Sequence, residues 1–216
     1  SSGGIHIDLL FLMGSAFFLF ISLLDGVFST GEGILSLLLG IIYIIYITKL
    51  SKKNKEIKKE MGGIKKEKLS FGFWISFILS LVLIFFGAKY TIESVIQLSS
   101  IFNIATEVIA ITAVALGTSL PELMVTISAA RKGKPEIAIG NVLGSNIFNT
   151  LFVMGIPSLI GSLTISPIML SFGLPVMLVS TFLYFFIIKD RDMTSWEGWL
   201  LLVFYVFFIG RLFNLF

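Results

Sequence analysis

Seven long apolar runs divide this sequence, at about residues 7–25, 31–49, 70–97, 104–131, 135–161, 166–188 and 194–215. Each is close to or beyond the roughly 20 residues that a helix needs to cross a bilayer core. A membrane-spanning backbone must satisfy its own hydrogen bonds, which leaves helices or a closed barrel. Strand-type alternation is missing, so a barrel is disfavoured. The runs therefore predict an all-α, polytopic membrane protein with seven transmembrane helices. Composition agrees: of 216 residues 56% are hydrophobic and 13% charged, and the mean hydropathy is +0.99. A water-soluble globule would lack the polar residues to cover its outside. Soluble enzymes, nucleic-acid binders and disordered chains are thereby disfavoured. The first run begins with an acid, Asp8, and no small-residue cleavage site follows it, unlike a signal peptide.

Charge placement gives an orientation. Residues 49–68 hold nine of the sixteen Lys and Arg residues and three of the thirteen acids. The remainder is net acidic, so the pI near 9.1 reflects one loop and implies no nucleic-acid partner. Under the positive-inside rule this loop is cytoplasmic. The loops on the same side by alternation carry Arg131, Lys132 and Lys134, and then Lys189 and Arg191. The opposite loops, 26–31, 98–103 and 162–165, contain no Lys or Arg. The N-terminus and loop 51–69 are expected inside and the C-terminus outside, in a plasma (inner) membrane, with the lipid bilayer as partner. The basic loop reads as a solvated, partly helical linker that the Gly62–Gly63 pair interrupts.

Cysteine is absent and histidine occurs once, at His6. Disulfides and thiolate metal sites are excluded. Two runs nevertheless carry polar groups at their centres. The fourth reads ITAVALGTSLPELMVTISAA over 111–130. Pro121 lacks an N–H and crowds the carbonyl of Gly117, so the backbone is expected to open around 117–121. Glu122 follows at once, and an ionisable residue inside a span is a functional hypothesis by default. Thr118, Glu122 and Thr126 share a face by their spacing of four, with Ser119 beside them. The fifth run reads IAIGNVLGSNIFNTLFVMGI over 137–156. Asn141, Ser145 and Asn149 form a stripe, and Gly140 and Gly144 repeat the small-xxx-small spacing of closely packed helices.

Depth brings the two clusters together. Arg131 to Glu122 is nine residues, roughly 13 Å along a helix, and Lys134 to Ser145 is eleven, roughly 16 Å. Both distances end near the middle of a core about 30 Å thick. Singly, a proline kink or an Asn–Ser stripe is ordinary helix packing. Their coincidence at one depth on adjacent helices favours an ion or proton site.

GTSLPE (117–122) followed by GNVLGSNIFN (140–149) resembles the α-repeat of the sodium/calcium exchangers of the calcium/cation antiporter superfamily. The resemblance implies two helices broken or kinked at a mid-membrane ion site, in the latter part of a ten-helix inverted-repeat exchanger. It divides the chain into two helices that end a first half (1–50), a basic loop (51–69) and a five-helix second repeat (70–216) with its motif at 111–156. It implies antiport of Ca²⁺ against Na⁺ by alternating access, with both ions as cargo and no prosthetic group. It makes Glu122 a carboxylate ligand of both ions, and Thr118, Ser119 and Ser145 sodium ligands. Asn149 occupies a position where many second repeats carry Asp, which leaves K⁺-dependence open. Gly117 would lend a carbonyl, with Pro121, Asn141, Thr126, Gly140 and Gly144 in support.

A hard Ca²⁺ takes six to eight oxygens, and this cluster supplies about half of them. The partner is then a first α-repeat half, and none is present: no second GTSLPE or GSN occurs in the chain. The expectation is a piece of a longer exchanger that does not catalyse exchange alone. Protons should compete with cations at Glu122. Three rival readings remain: an H⁺/Ca²⁺ antiporter, a channel or non-transporting assembly subunit, and an intramembrane serine hydrolase at Ser119. The last needs a base within reach, and His6 and Lys89 are poorly placed by sequence. Lys89 and Glu93, four apart, predict an intrahelical pair.

Overall fold

The computed structural model describes residues 2–60, 71–102, 115–189 and 194–212. The expectations for Gly62–Gly63 and Arg191, and for the start of the fourth run, lie outside these residues. The helices are α1 (Ser2–Ser22), α2 (Thr30–Glu60), α3 (Phe71–Phe102), α4 (Ala115–Arg131), α5 (Pro135–Phe148), α6 (Gly155–Ser158), α7 (Leu174–Lys189) and α8 (Ser195–Leu212). Two wider π turns, Asn149–Val153 and Met169–Gly173, join α5 to α6 and lead into α7. Among the described residues, Thr30–Ser51, Pro135–Ser158, Met169–Lys189 and Ser195–Leu212 are long and apolar enough to cross a membrane. The apolar stretch His6–Ser22 is shorter.

Local chemistry explains the boundaries. Ser29 and Glu32 cap α2 reciprocally: the carboxylate accepts from the Ser29 N–H and hydroxyl at 2.7 Å each. Thr194 and Glu197 do the same at the start of α8, with the N–H at 2.6 Å. Both are S/T-x-x-E capping boxes, which satisfy donors that a helix start leaves bare. Glu197 thus has a structural task at its span end. α2 continues as helix through Glu60, in keeping with the partly helical linker expected there.

The chain divides into two compact units, Ser51–Leu120 and a second made of Ser1–Leu50 with Pro121–Phe216. The first contains α3, where Lys89 and Glu93 form the expected pair at 4.0 Å. In the second, α1 packs against α5 and α7. Leu9, Leu12, Tyr43, Leu143, Ile147, Leu151, Ile187 and Ile188 make one buried cluster. Leu19, Leu23, Phe28 and Leu174 make another. A two-residue antiparallel ladder pairs β1 (Val27–Phe28) with β2 (Leu163–Thr164), fully burying Phe28. Gly26, at φ 83°, turns the chain into it, and its carbonyl accepts from the Ile165 N–H at 2.9 Å.

The opening expected at 117–121 is not what forms. α4 runs as one helix from Ala115 to Arg131 with Pro121 inside it. Proline removes one donor and crowds one carbonyl, yet helical backbone continues on both sides of it. The larger departure from α geometry is in the other rod, at Asn149–Val153.

Candidate cation site

The site is built on the α4–α5 hairpin. α4 ends at Arg131, and Gly133 adopts φ 65°, a left-handed conformation that costs other residues about 1–2 kcal/mol. The Lys134 N–H reaches the Ala129 carbonyl at 2.9 Å and the Gly133 N–H that of Ala130 at 3.0 Å. This is a Schellman closure, which satisfies carbonyls left over at the helix end. Pro135 then opens α5, where its missing N–H costs nothing. Three residues therefore return the chain antiparallel, with Arg131, Lys132 and Lys134 exposed at the turn.

Two and a half turns above this basic rim the helices are tied together. The Asn141 amide donates to the Glu122 carbonyl at 3.0 Å and to the Thr126 hydroxyl at 3.1 Å. Beside it Glu122 Oε2 is buried with no hydrogen-bond partner among the described residues. A buried polar atom left in this state costs about 1–3 kcal/mol, and more when charged. Ser145, one turn beyond Asn141, is half-buried and donates to its own helix at the Val142 carbonyl, 3.2 Å away. Its hydrogen is spent inward, and the oxygen lone pairs remain as acceptors. Asn149 is exposed and opens the π turn, its carbonyl accepting from the Met154 N–H at 3.3 Å.

The expected residues thus separate into groups. Glu122, Thr126 and Asn141 are brought together by direct bonds. Ser145 and Asn149 continue the stripe along the same rod. Gly117, Thr118 and Ser119 occupy the first turns of α4, before Pro121, and Ser119 is exposed. Gly140 is exposed and Gly144 half-buried; space around each is open, so neither is a tight contact to a described neighbour. The close glycine contacts are elsewhere: a Cβ on Gly33 of α2 would strike Ser158, and one on Gly40 would lie 2.6 Å from the Phe152 ring. Sequence reading also passed over Asn146. Its amide donates to the Val142 carbonyl at 2.8 Å, and it lines a cavity of about 210 Å³ with Ser180, Thr181 and Tyr184.

No group of three or more His, Cys, Asp or Glu side chains gathers among the described residues. The donor set is one carboxylate with hydroxyl, amide and peptide oxygens. Such hard, mostly neutral donors suit Na⁺ or Ca²⁺ and not a softer transition ion.

These features are those of an integral membrane protein with polar groups gathered on one helical hairpin. A sequence model described as "Sodium/calcium exchanger protein" matches residues 72–214. The chain belongs to the sodium/calcium exchanger family, which is one of transporters. The sodium/calcium exchanger MaX1 of Methanosarcina acetivorans is 43% identical over 151 residues, covering 68% of this chain and 43% of that protein. The inner membrane protein YrbG of Escherichia coli is 31% identical over 170 residues, 75% of this chain and 52% of that one. The solved structure of the sodium-calcium exchanger NCX_Mj soaked with Na⁺ and Sr²⁺ matches with a TM-score of 0.65 at 27% identity. That match covers 96% of this chain and 66% of that chain. The chain spans about half the length of the curated relatives it matches.

Proposed function

We propose that this chain supplies about half of the ion site of an antiporter that exchanges Ca²⁺ for Na⁺ by alternating access. The observation that carries the reading is the buried, unpartnered Glu122 carboxylate oxygen beside the Asn141–Thr126 tie. A cation offsets the desolvation of that oxygen, and no neighbouring side chain does so among the described residues. Glu122 is the charged ligand of both ions. The Ser145 hydroxyl and the Asn149 amide supply neutral oxygens from α5, and Thr118, Ser119 and the Gly117 carbonyl supply them from α4. A first α-repeat half completes the shell. Na⁺ needs fewer oxygens and less negative charge than Ca²⁺, so one cluster serves both in competition.

The basic loop and the N-terminus lie on the cytoplasmic side of a plasma (inner) membrane, the C-terminus outside. The five helices of 70–216 form the second repeat. The test is sodium-gradient-driven radiocalcium uptake into liposomes, on the chain alone and on the chain joined to a first-repeat half. Uptake only by the joined protein, and its loss in Glu122→Gln, is expected. Uptake by the chain alone refutes the half-site reading. Wild-type uptake by Glu122→Gln removes Glu122 from the site, and uptake driven by a proton gradient alone reassigns the counter-ion.

A further inference from the structure

Ser36 lies on α2, outside the hairpin, and is fully buried. Its hydroxyl donates to the Leu151 carbonyl at 2.9 Å and lies 3.3 Å from that of Thr150. Both carbonyls belong to the π turn Asn149–Val153. A one-residue insertion in a helix leaves a carbonyl without its usual donor. In a bilayer core water does not make up the loss, so a side chain must. Ser36 is that side chain. Its height is set from both sides. Three residues before it Gly33 abuts Gly155 and Ser158, and four residues after it Gly40 abuts the Phe152 ring. The exit of the turn is thus anchored on α2, and the Thr30 hydroxyl adds a 2.8 Å bond to the Ser158 carbonyl.

An anchored exit has a consequence for the entry. If the π turn relaxed to α geometry, one residue of register, about 100° of rotation, would have to be absorbed. The anchored side cannot take it up, so the stripe of Ser145 and Asn149 would turn instead. We propose that Ser36 is a positioning residue for the cation site: its bond to the π-turn carbonyls holds Asn149 and Ser145 facing the ion. The inference rests on the reading of those two residues as cation ligands.

The test compares wild type, Ser36→Ala and Ser36→Thr in the joined exchanger. Ser36→Ala is expected to raise the half-saturating Ca²⁺ concentration about three- to tenfold, the worth of one hydrogen bond, with maximal rate within about twofold. Ser36→Thr restores it. In an Asn149→Ala background Ser36→Ala should add little, because coupled residues are not additive. A second readout needs no transport: amide hydrogen exchange at Met154 and Gly155 should speed up in Ser36→Ala and not in Ser36→Thr. Unchanged exchange at those amides, or faster exchange with unchanged half-saturation, overturns the proposal. If the wild type shows no sodium-driven uptake, the antiport reading fails. Calorimetric Ca²⁺ binding to the same variants then decides Ser36, a shift supporting it and equal affinities rejecting it.

Discussion

Asn141 donates a 3.1 Å hydrogen bond to the hydroxyl of Thr126, fifteen residues away on the facing helix. The same amide nitrogen donates to the Glu122 carbonyl. The stripe on α5 is therefore a structural tie to α4 as well as the proposed source of ligands. Asn141→Leu removes both bonds and leaves the Thr126 hydroxyl without this donor. A loss of about 1–3 kcal/mol is expected, read as a lower midpoint in detergent unfolding. Asn141→Asp keeps the shape but loses both donors, and is expected to be at least as harmful.

Glu122→Gln should behave in the opposite way for stability. The substitution replaces a carboxylate whose buried oxygen has no hydrogen-bond partner among the described residues. The unfolding midpoint in sodium-free, calcium-free buffer should stay level or rise, while Ca²⁺ no longer raises it. Ligands that bind only the folded state stabilise it by mass action, so wild type should gain with Ca²⁺. A variant that loses both midpoint and insertion would instead make Glu122 a packing residue.

Gly33 and Gly40 set how close α2 lies to the α5–α6 rod. Gly33→Val would push into Ser158 and Gly155, at an overpacking cost of about 1–3 kcal/mol. The expected signs are a lower unfolding midpoint and faster hydrogen exchange around Ser158. Gly140→Ala and Gly144→Ala, which meet open space, should leave the midpoint within about 0.5 kcal/mol of wild type.

Gly133→Val places a β-branched side chain at φ 65°, where it is strained. A cost of about 1–2 kcal/mol is expected from the handedness of the turn alone. Lys132→Ala, one residue earlier and exposed, serves as the control and should be near neutral. Equal midpoints for the two variants would show that the turn is not held as described.

The absence of native cysteine makes the proposed orientation directly measurable. Single cysteines at Lys134 and at Ser162 should react with an impermeant maleimide from opposite sides of the membrane. Labelling of both from one side would sink the assigned topology.

Much of the hairpin was legible before any coordinates. The short basic link between the fourth and fifth apolar runs already implied adjacent helices. The Asn141–Ser145–Asn149 spacing names a face whatever the neighbour. What sequence could not supply depends on partners distant along the chain. Ser36 is one serine in an apolar run, and only the Thr150 and Leu151 carbonyls, more than a hundred residues on, give it a purpose. The π turn was hidden for the same reason, because its cost is offset by a donor from another helix. Pro121 misled in the other direction. Its local rule predicts an opening, and the surrounding helix absorbs the loss of a single donor. Glu122 stood out in the sequence because a carboxylate within an apolar run needs no partner to be conspicuous.

The three-residue return at Gly133 has no slack. A link this short, closed by two backbone bonds, transmits tilt as a clamp does and not as a rope would. In the alternating-access cycle proposed above, Glu122 and Asn141 would travel together, as the two arms of one tuning fork.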